Sequence, residues 1–169
     1  GLQSVMTRTA TLRAPSGSMT DVFACARAQI YYNIKRKPLA QVKRETGCSH
    51  IINGYLFNGS FQPVGWTVID GKVISRDAYQ DWGISIGSDG KPQMLTDRGG
   101  SFLSGVPLLK NGAKLERSLT PDVARSAART AVGWMPDGRI CLWCDKTSLT
   151  REQLQNKLLG LGVADASAT

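Results

Sequence analysis

Five turn dipeptides punctuate the chain: Asn58-Gly59, Asp70-Gly71, Asp89-Gly90, Asn111-Gly112 and Asp137-Gly138. Asn-Gly and Asp-Gly tolerate positive φ, which the tight turns between antiparallel strands require. Their flanks are short β-branched or aromatic runs. Trp66-Thr67-Val68-Ile69 precedes Asp70-Gly71 and Lys72-Val73-Ile74-Ser75 follows it. Ile84-Ser85-Ile86 precedes Asp89-Gly90, and the runs at 131–135 and 140–144 flank Asp137-Gly138. Apolar runs bounded by such punctuation are the signature of strands. Two segments break the pattern. Residues 38–46 open with Pro38, space Leu39 and Val42 three apart and stop at Gly47, as a helix would. Residues 150–159 offer Thr150 and Gln153 as a capping box, then Leu154, Leu158 and Leu161 at helical spacing. Strands are expected again over 49–53 and from Val163 onward, with a weakly alternating edge strand over 7–13. The fold class expected is α+β: a curved, largely antiparallel sheet system with about two packed helices.

A chain of 169 residues suits one ordinary domain. The expected organisation is an N-terminal strand or extension over 1–19, then one domain over 20–169. With 41% hydrophobic and 20% charged residues, a packed core is expected rather than disorder. No apolar run approaches the ~20 residues of a membrane-spanning helix. Residues 1–5 show no basic start followed by an apolar stretch, the mark of a secretory leader. The expectation is a soluble protein without a membrane partner, in the cytoplasm or processed and secreted.

Lys and Arg number 21 against 13 Asp and Glu, a net charge of +8. Such a balance favours anionic partners: phosphorylated small molecules, nucleic acid or acidic surfaces. The dense cluster Lys35-Arg36-Lys37 with Lys43-Arg44, beside Tyr31 and Tyr32, fits a solvated helix start as well as a nucleic-acid patch. Four cysteines are too few to staple a chain of this length. Cys141 and Cys144 have CxxC spacing but lie in a strand-like run, where residues three apart point to opposite faces. Buried reduced thiols explain them better than a zinc site shared with Cys48 and His50. No metal and no cofactor is expected.

Common catalytic signatures are missing. His50 is the sole histidine, and no GxSxG elbow, GxxxxGK[ST] loop or GxGxxG motif occurs. Gly99-Gly100-Ser101 could offer amides to an anion or form a plain loop. Three stretches carry chemistry. Asn53-Gly54-Tyr55-Leu56-Phe57 follows a strand, where an Asn can fix a ligand hydroxyl or a backbone bend. Phe102-Leu103-Ser104-Gly105-Val106-Pro107 allows close approach to backbone, or marks a bulge. In Ala128-Arg129-Thr130-Ala131-Val132-Gly133, Arg129 heads an apolar strand. A guanidinium there needs a partner or a cleft, and its fork suits a phosphate or a structural carboxylate.

Taken in order, these stretches resemble the phosphodiester glycosidase family. Its pattern runs from a helix through Asn-Gly-x-x-Phe, an Asp-Gly hairpin, Ser-Gly-x-Pro-Leu with Asn-Gly, Pro-Arg-Thr-Ala-x-Gly with Asp-Gly, a Thr-x-x-Glu-Leu-like helix and Leu-Gly, to a closing Asp-Gly-Gly-Gly-Ser loop. The matching residues are Asn53-Gly54 with Phe57, Gly65, Asp70-Gly71, Ser104-Gly105-Val106-Pro107-Leu108, Asn111-Gly112, Arg129-Thr130-Ala131-Val132-Gly133, Asp137-Gly138, Thr150 to Leu154 and Leu161-Gly162. The likeness spans residues 20–169. Ala128 stands where the family has Pro. The sequence reaches Thr169 where the glycine-rich loop would begin, so either that loop follows or this member lacks it and only binds its ligand.

The resemblance implies hydrolysis of a sugar-1-phosphodiester to a sugar and a phosphomonoester. Arg129, with Thr130, would hold the phosphate. Asn53 and Ser104 would fix sugar hydroxyls, with Gly54, Phe57, Gly105 and Gly133 shaping the substrate site. Asp145 is the nearest candidate for the carboxylate that such chemistry asks for. The partner implied is a phosphorylated sugar or phosphodiester. Two other classes stay open: a non-catalytic binder of a phosphorylated sugar or nucleotide-like metabolite, and a basic nucleic-acid-binding domain whose affinity falls steeply with salt.

Overall fold

The computed structural model describes residues 2–11, 20–48, 50–54, 59–60, 62–63, 65–76, 82–87, 100–116, 118–119 and 125–169. Twelve strands and two helices form in these residues. In chain order the strands are β1 (Leu2–Thr11), β2 (Thr20–Asn33), β3 (His50–Asn53), β4 (Thr67–Ile69), β5 (Lys72–Ser75), β6 (Gly83–Ile86), β7 (Ser101–Ser104), β8 (Val106–Lys110), β9 (Ala113–Lys114), β10 (Ala127–Trp134), β11 (Ile140–Leu149) and β12 (Asp165–Ala168). The helices are α1 (Leu39–Thr46), between β2 and β3, and α2 (Arg151–Gly160), before β12. An eight-stranded sheet has the order β3-β1-β2-β11-β10-β12-β8-β9, and a four-stranded sheet the order β5-β4-β7-β6. Every strand pairing among the described residues is antiparallel. The α+β class and the two helices thus hold.

The turn chemistry acts as its residues dictate. Asp70 and Gly71 both take positive φ, 50° and 79°, and Asn111 and Gly112 do likewise at 50° and 76°. Two successive left-handed residues make the type I′ turn whose twist suits a two-residue hairpin. At Asp137-Gly138 only the glycine is left-handed, φ 86°. There the Gly138 N–H donates to the Met135 carbonyl at 2.9 Å, closing a type I turn followed by glycine. Asn58, Asp89-Gly90 and Gly99 lie outside the described residues. Both helix ends follow the sequence as well. The Gly47 N–H donates back to the Lys43 carbonyl from a left-handed cap, and Thr150 and Gln153 form the full capping box.

One expectation is corrected. The N-terminal strand is not an edge: β1 lies between β2 and β3. Its partner β2, 14 residues long, supplies a long ladder that the weak alternation of residues 7–13 did not reveal.

Two cores lie on the two faces of the large sheet. Ala28, Ile30, Val132, Trp134, Ile140 and Leu142 on one face meet Trp82, Ile84, Ile86 and Leu103 of the smaller sheet and its approach. On the other, Ala131, Cys141 and Trp143 meet Leu154 and Leu158 of α2, with Val106, Leu108 and Leu109 of β8. Cys141 is buried, Cys144 is half-buried, and neither is in a disulfide. They stand three residues apart on β11 and so project to opposite faces.

At Gly133, β10 packs tightly against β12 and the residue leading toward it. A methyl group added there would sit 2.6 Å from the Val163 Cγ1 and 2.8 Å from the Asp165 carbonyl oxygen. Gly133→Ala should therefore destabilise by about 1–3 kcal/mol through overpacking. Thr150→Ala, which deletes the cap of α2, should lose about 1 kcal/mol. Urea denaturation of the two variants checks both magnitudes.

Candidate active site

Strand β10 loses its apolar character at its start, and the candidate site forms there. Thr130 is half-buried and aligned with Thr169, the residue after β12. The Thr169 N–H donates to the Thr130 carbonyl at 3.0 Å, which continues the β10–β12 ladder by one rung. The Thr130 hydroxyl lies 2.9 Å from Asn53 Oδ1, 2.8 Å from the Thr169 hydroxyl and 3.3 Å from the Thr169 carbonyl oxygen.

Donor counting orders these contacts. A threonine hydroxyl has one proton, and a carboxamide oxygen only accepts. Thr130 therefore donates to Asn53 Oδ1, the shorter of its two acceptor-only contacts, and accepts a hydrogen bond from the Thr169 hydroxyl. Asn53 Nδ2 donates to the Gly54 carbonyl at 2.9 Å, which sets the orientation of the amide. Asn53 is exposed at the end of β3. These bonds leave it one amide hydrogen and one carbonyl lone pair, a donor and an acceptor side by side. That is the pattern that binds a hydroxyl-bearing ligand.

Residues 53, 130 and 169 are remote in sequence, and the contact depends on curvature. Three strands separate β3 from β10 in the sheet order. Four strand spacings in a flat sheet would set them about 19 Å apart. The 2.9 Å contact requires the sheet to curl until its β3 edge approaches β10.

The other expected residues fall in different places. Arg129 is half-buried, and its Nη2 donates to the Arg125 carbonyl at 2.6 Å. Neighbours in a strand project to opposite faces, so Arg129 and Thr130 leave β10 on opposite sides. Asp145 is in register with Arg129 on β11; its side chain lies outside the described set, as does Phe57. Ser104 is fully buried, and its hydroxyl donates to the Trp66 carbonyl at 2.8 Å. It sits with Gly105 where the chain crosses from β7 in the small sheet to β8 in the large one. A methyl group on Gly105 would collide with the Ser167 hydroxyl and the Ala168 carbonyl. Ser104 and Gly105 therefore form the seam between the sheets, and their burial keeps the Ser104 hydroxyl from a ligand in this conformation. Gly54 is buried directly after Asn53, and Gly133 is buried against β12.

Sequence reasoning did not single out Thr169. Its signal was the strand expected from Val163 onward. Alternation along that strand sets Ser167 and Thr169 on one face, and register pairs Ser167 with Val132, two residues from Thr130.

No family model matches the chain, and no curated protein does. Solved structures do share its fold. One is a zebrafish N-acetylglucosamine-1-phosphodiester alpha-N-acetylglucosaminidase catalytic domain, auto-inhibited by its pro-peptide. It aligns with a TM-score of 0.60 at 19% identity, over 98% of this chain and 75% of that one. Another is a hypothetical protein from Synechocystis, with a TM-score of 0.63 at 12% identity, over 98% of this chain and 56% of that one. The chain thus spans little more than half of the second structure. At these identities the likeness establishes a related fold.

His50 lies on β3, three residues before Asn53, and burial together with the Lys43 charge holds its pKa below the ordinary 6.5. The unfolded chain then binds more protons than the folded one between the depressed value and 6.5. Stability should fall as pH drops below about 6.5 and level off once the folded value is passed. His50→Gln should flatten this part of the profile, as read from denaturant midpoints between pH 7 and pH 5.

Proposed function

We propose that the chain is a hydrolase of the phosphodiester glycosidase type, cleaving the bond between the anomeric carbon and the phosphate of a sugar-1-phosphodiester. The observation that carries this reading is the hydrogen-bonded set Asn53–Thr130–Thr169 at the curled end of the large sheet. Two further points support it: the ordered motifs that resemble those of that family, and a fold related to the zebrafish N-acetylglucosamine-1-phosphodiester alpha-N-acetylglucosaminidase catalytic domain.

In this reading Asn53 and Thr130 hold a sugar hydroxyl and orient the ring. Arg129 is the cation of β10 and is assigned the phosphate. Because Arg129 and Thr130 front opposite faces, the diester lies across the end of β10, sugar on the Thr130 side and phosphate toward Arg129. Water adds to the anomeric carbon, the carbon–oxygen bond to phosphate breaks with its electron pair on oxygen, and the water proton passes to a base. Asp145, directly opposite Arg129 in the β10–β11 ladder, is assigned that role. The departing phosphomonoester is weakly basic and needs little protonation, so a second carboxylic acid is not required.

The test uses a synthetic sugar-1-phosphate methyl diester, with free sugar as the readout. Arg129→Ala should lower kcat/KM by about 10²-fold or more, as losing a charge-stabilising donor does, while the melting temperature stays near wild type. Asn53→Ala should chiefly raise KM. Thermal stabilisation by the diester without release of sugar would identify a binding protein instead. If Arg129→Ala unfolds the chain while Arg129→Lys keeps full turnover, the guanidinium is structural and the phosphate assignment fails.

A further inference from the structure

We propose that the turn after β2 and the start of α1, residues 34–44, form a docking surface for an anionic lipid bilayer. Ile34 is 59% exposed and Leu39 51%, the two most exposed large apolar side chains among the described residues. Lys35, Arg36, Lys43 and Arg44 are exposed in the same stretch. Leu39 and Lys43, four apart on α1, share one helix face. Glu45, the acid of this stretch, is two positions further round, held by Lys37 Nζ at 2.7 Å and by Gln41 Nε2 at 3.0 Å. The Lys37 ammonium lowers the Glu45 pKa, so its charge is offset locally and the Leu39–Lys43 face stays cationic.

The tip is held in shape before any partner arrives. Asn33 is 1% exposed. Its Oδ1 accepts from the Lys37 N–H at 2.9 Å and its Nδ2 donates to the Lys37 carbonyl at 2.8 Å. The Arg36 N–H donates to the Asn33 carbonyl at 3.0 Å. A clasped tip loses little conformational freedom on binding. Aliphatic side chains interleaved with cations match a bilayer, where the hydrocarbon boundary takes the apolar groups and anionic headgroups take the charges. Nucleic acid offers Ile34 and Leu39 no comparable partner, since bases stack on aromatic rings. The contact is with a membrane surface rather than a span, and it departs from the sequence-based expectation of no membrane partner.

Sedimentation with phosphatidylcholine vesicles, with and without 30% phosphatidylserine, tests the proposal on the whole chain. Binding should appear with the anionic vesicles and be lost between about 0.1 and 0.5 M salt. Lys35→Gln with Lys43→Gln should weaken it about 25-fold, roughly fivefold per cation. Ile34→Ser with Leu39→Ser should weaken it about tenfold, with circular dichroism checking that each variant is folded. Equal binding to neutral vesicles, or folded variants that bind like wild type, would overturn the proposal. So would tighter binding to a mixed-sequence DNA duplex that Ile34→Ser with Leu39→Ser leaves intact.

Discussion

Strands β10 and β11 are buried on both faces over residues 131–134 and 140–143, and the rest of the structure is arranged around that constraint. Their register pairs Val132 with Leu142 and Ala131 with Trp143. One set of side chains faces the smaller sheet and the other faces α2. A slip of one residue would exchange the two sets, sending Trp143 toward the small sheet and Leu142 toward the helix. Neither core has room for that exchange: Leu142 and Trp143 are 0% and 1% exposed. The register is therefore held from both sides. It also fixes where the apolar part of β10 stops, and so where Thr130 stands.

The hairpins and helix ends were legible because their determinants are local. A left-handed φ at Asp70 or Asn111 is a property of two residues, and a capping box of four. Strand β10 was legible for a related reason, since an apolar run ending at Pro136-Asp137-Gly138 leaves few alternatives. Strand β1 was less so. Leu2–Thr11 contains Gln3, Ser4, Thr7, Arg8 and Thr9, a composition that suits an edge, yet it is enclosed by β2 and β3. Its placement follows from pairing with a strand that begins nine residues later, and single-residue preferences carry no such information. Ser104 and Gly105 illustrate the opposite case. The pattern marked them as special, and they are, but their constraint is the crossing between sheets.

The candidate site sits at the far end of this scale. Asn53 stood out in sequence as an Asn at a strand end, whereas Thr130 entered only as the neighbour of Arg129, the residue that heads the greasy strand. Nothing local joins them. They meet because antiparallel strands twist and the eight-stranded sheet coils, closing a gap that a flat sheet would hold open. The contact between them is thus a property of the whole sheet. A substitution that relaxes the curl, even one remote from residues 53 and 130, would separate them. Matching motifs in the right order are consequently not sufficient for a working site in this fold. The β10–β11 register and the curvature of the strands between β3 and β10 must both be correct for the Asn53 amide to meet the Thr130 hydroxyl.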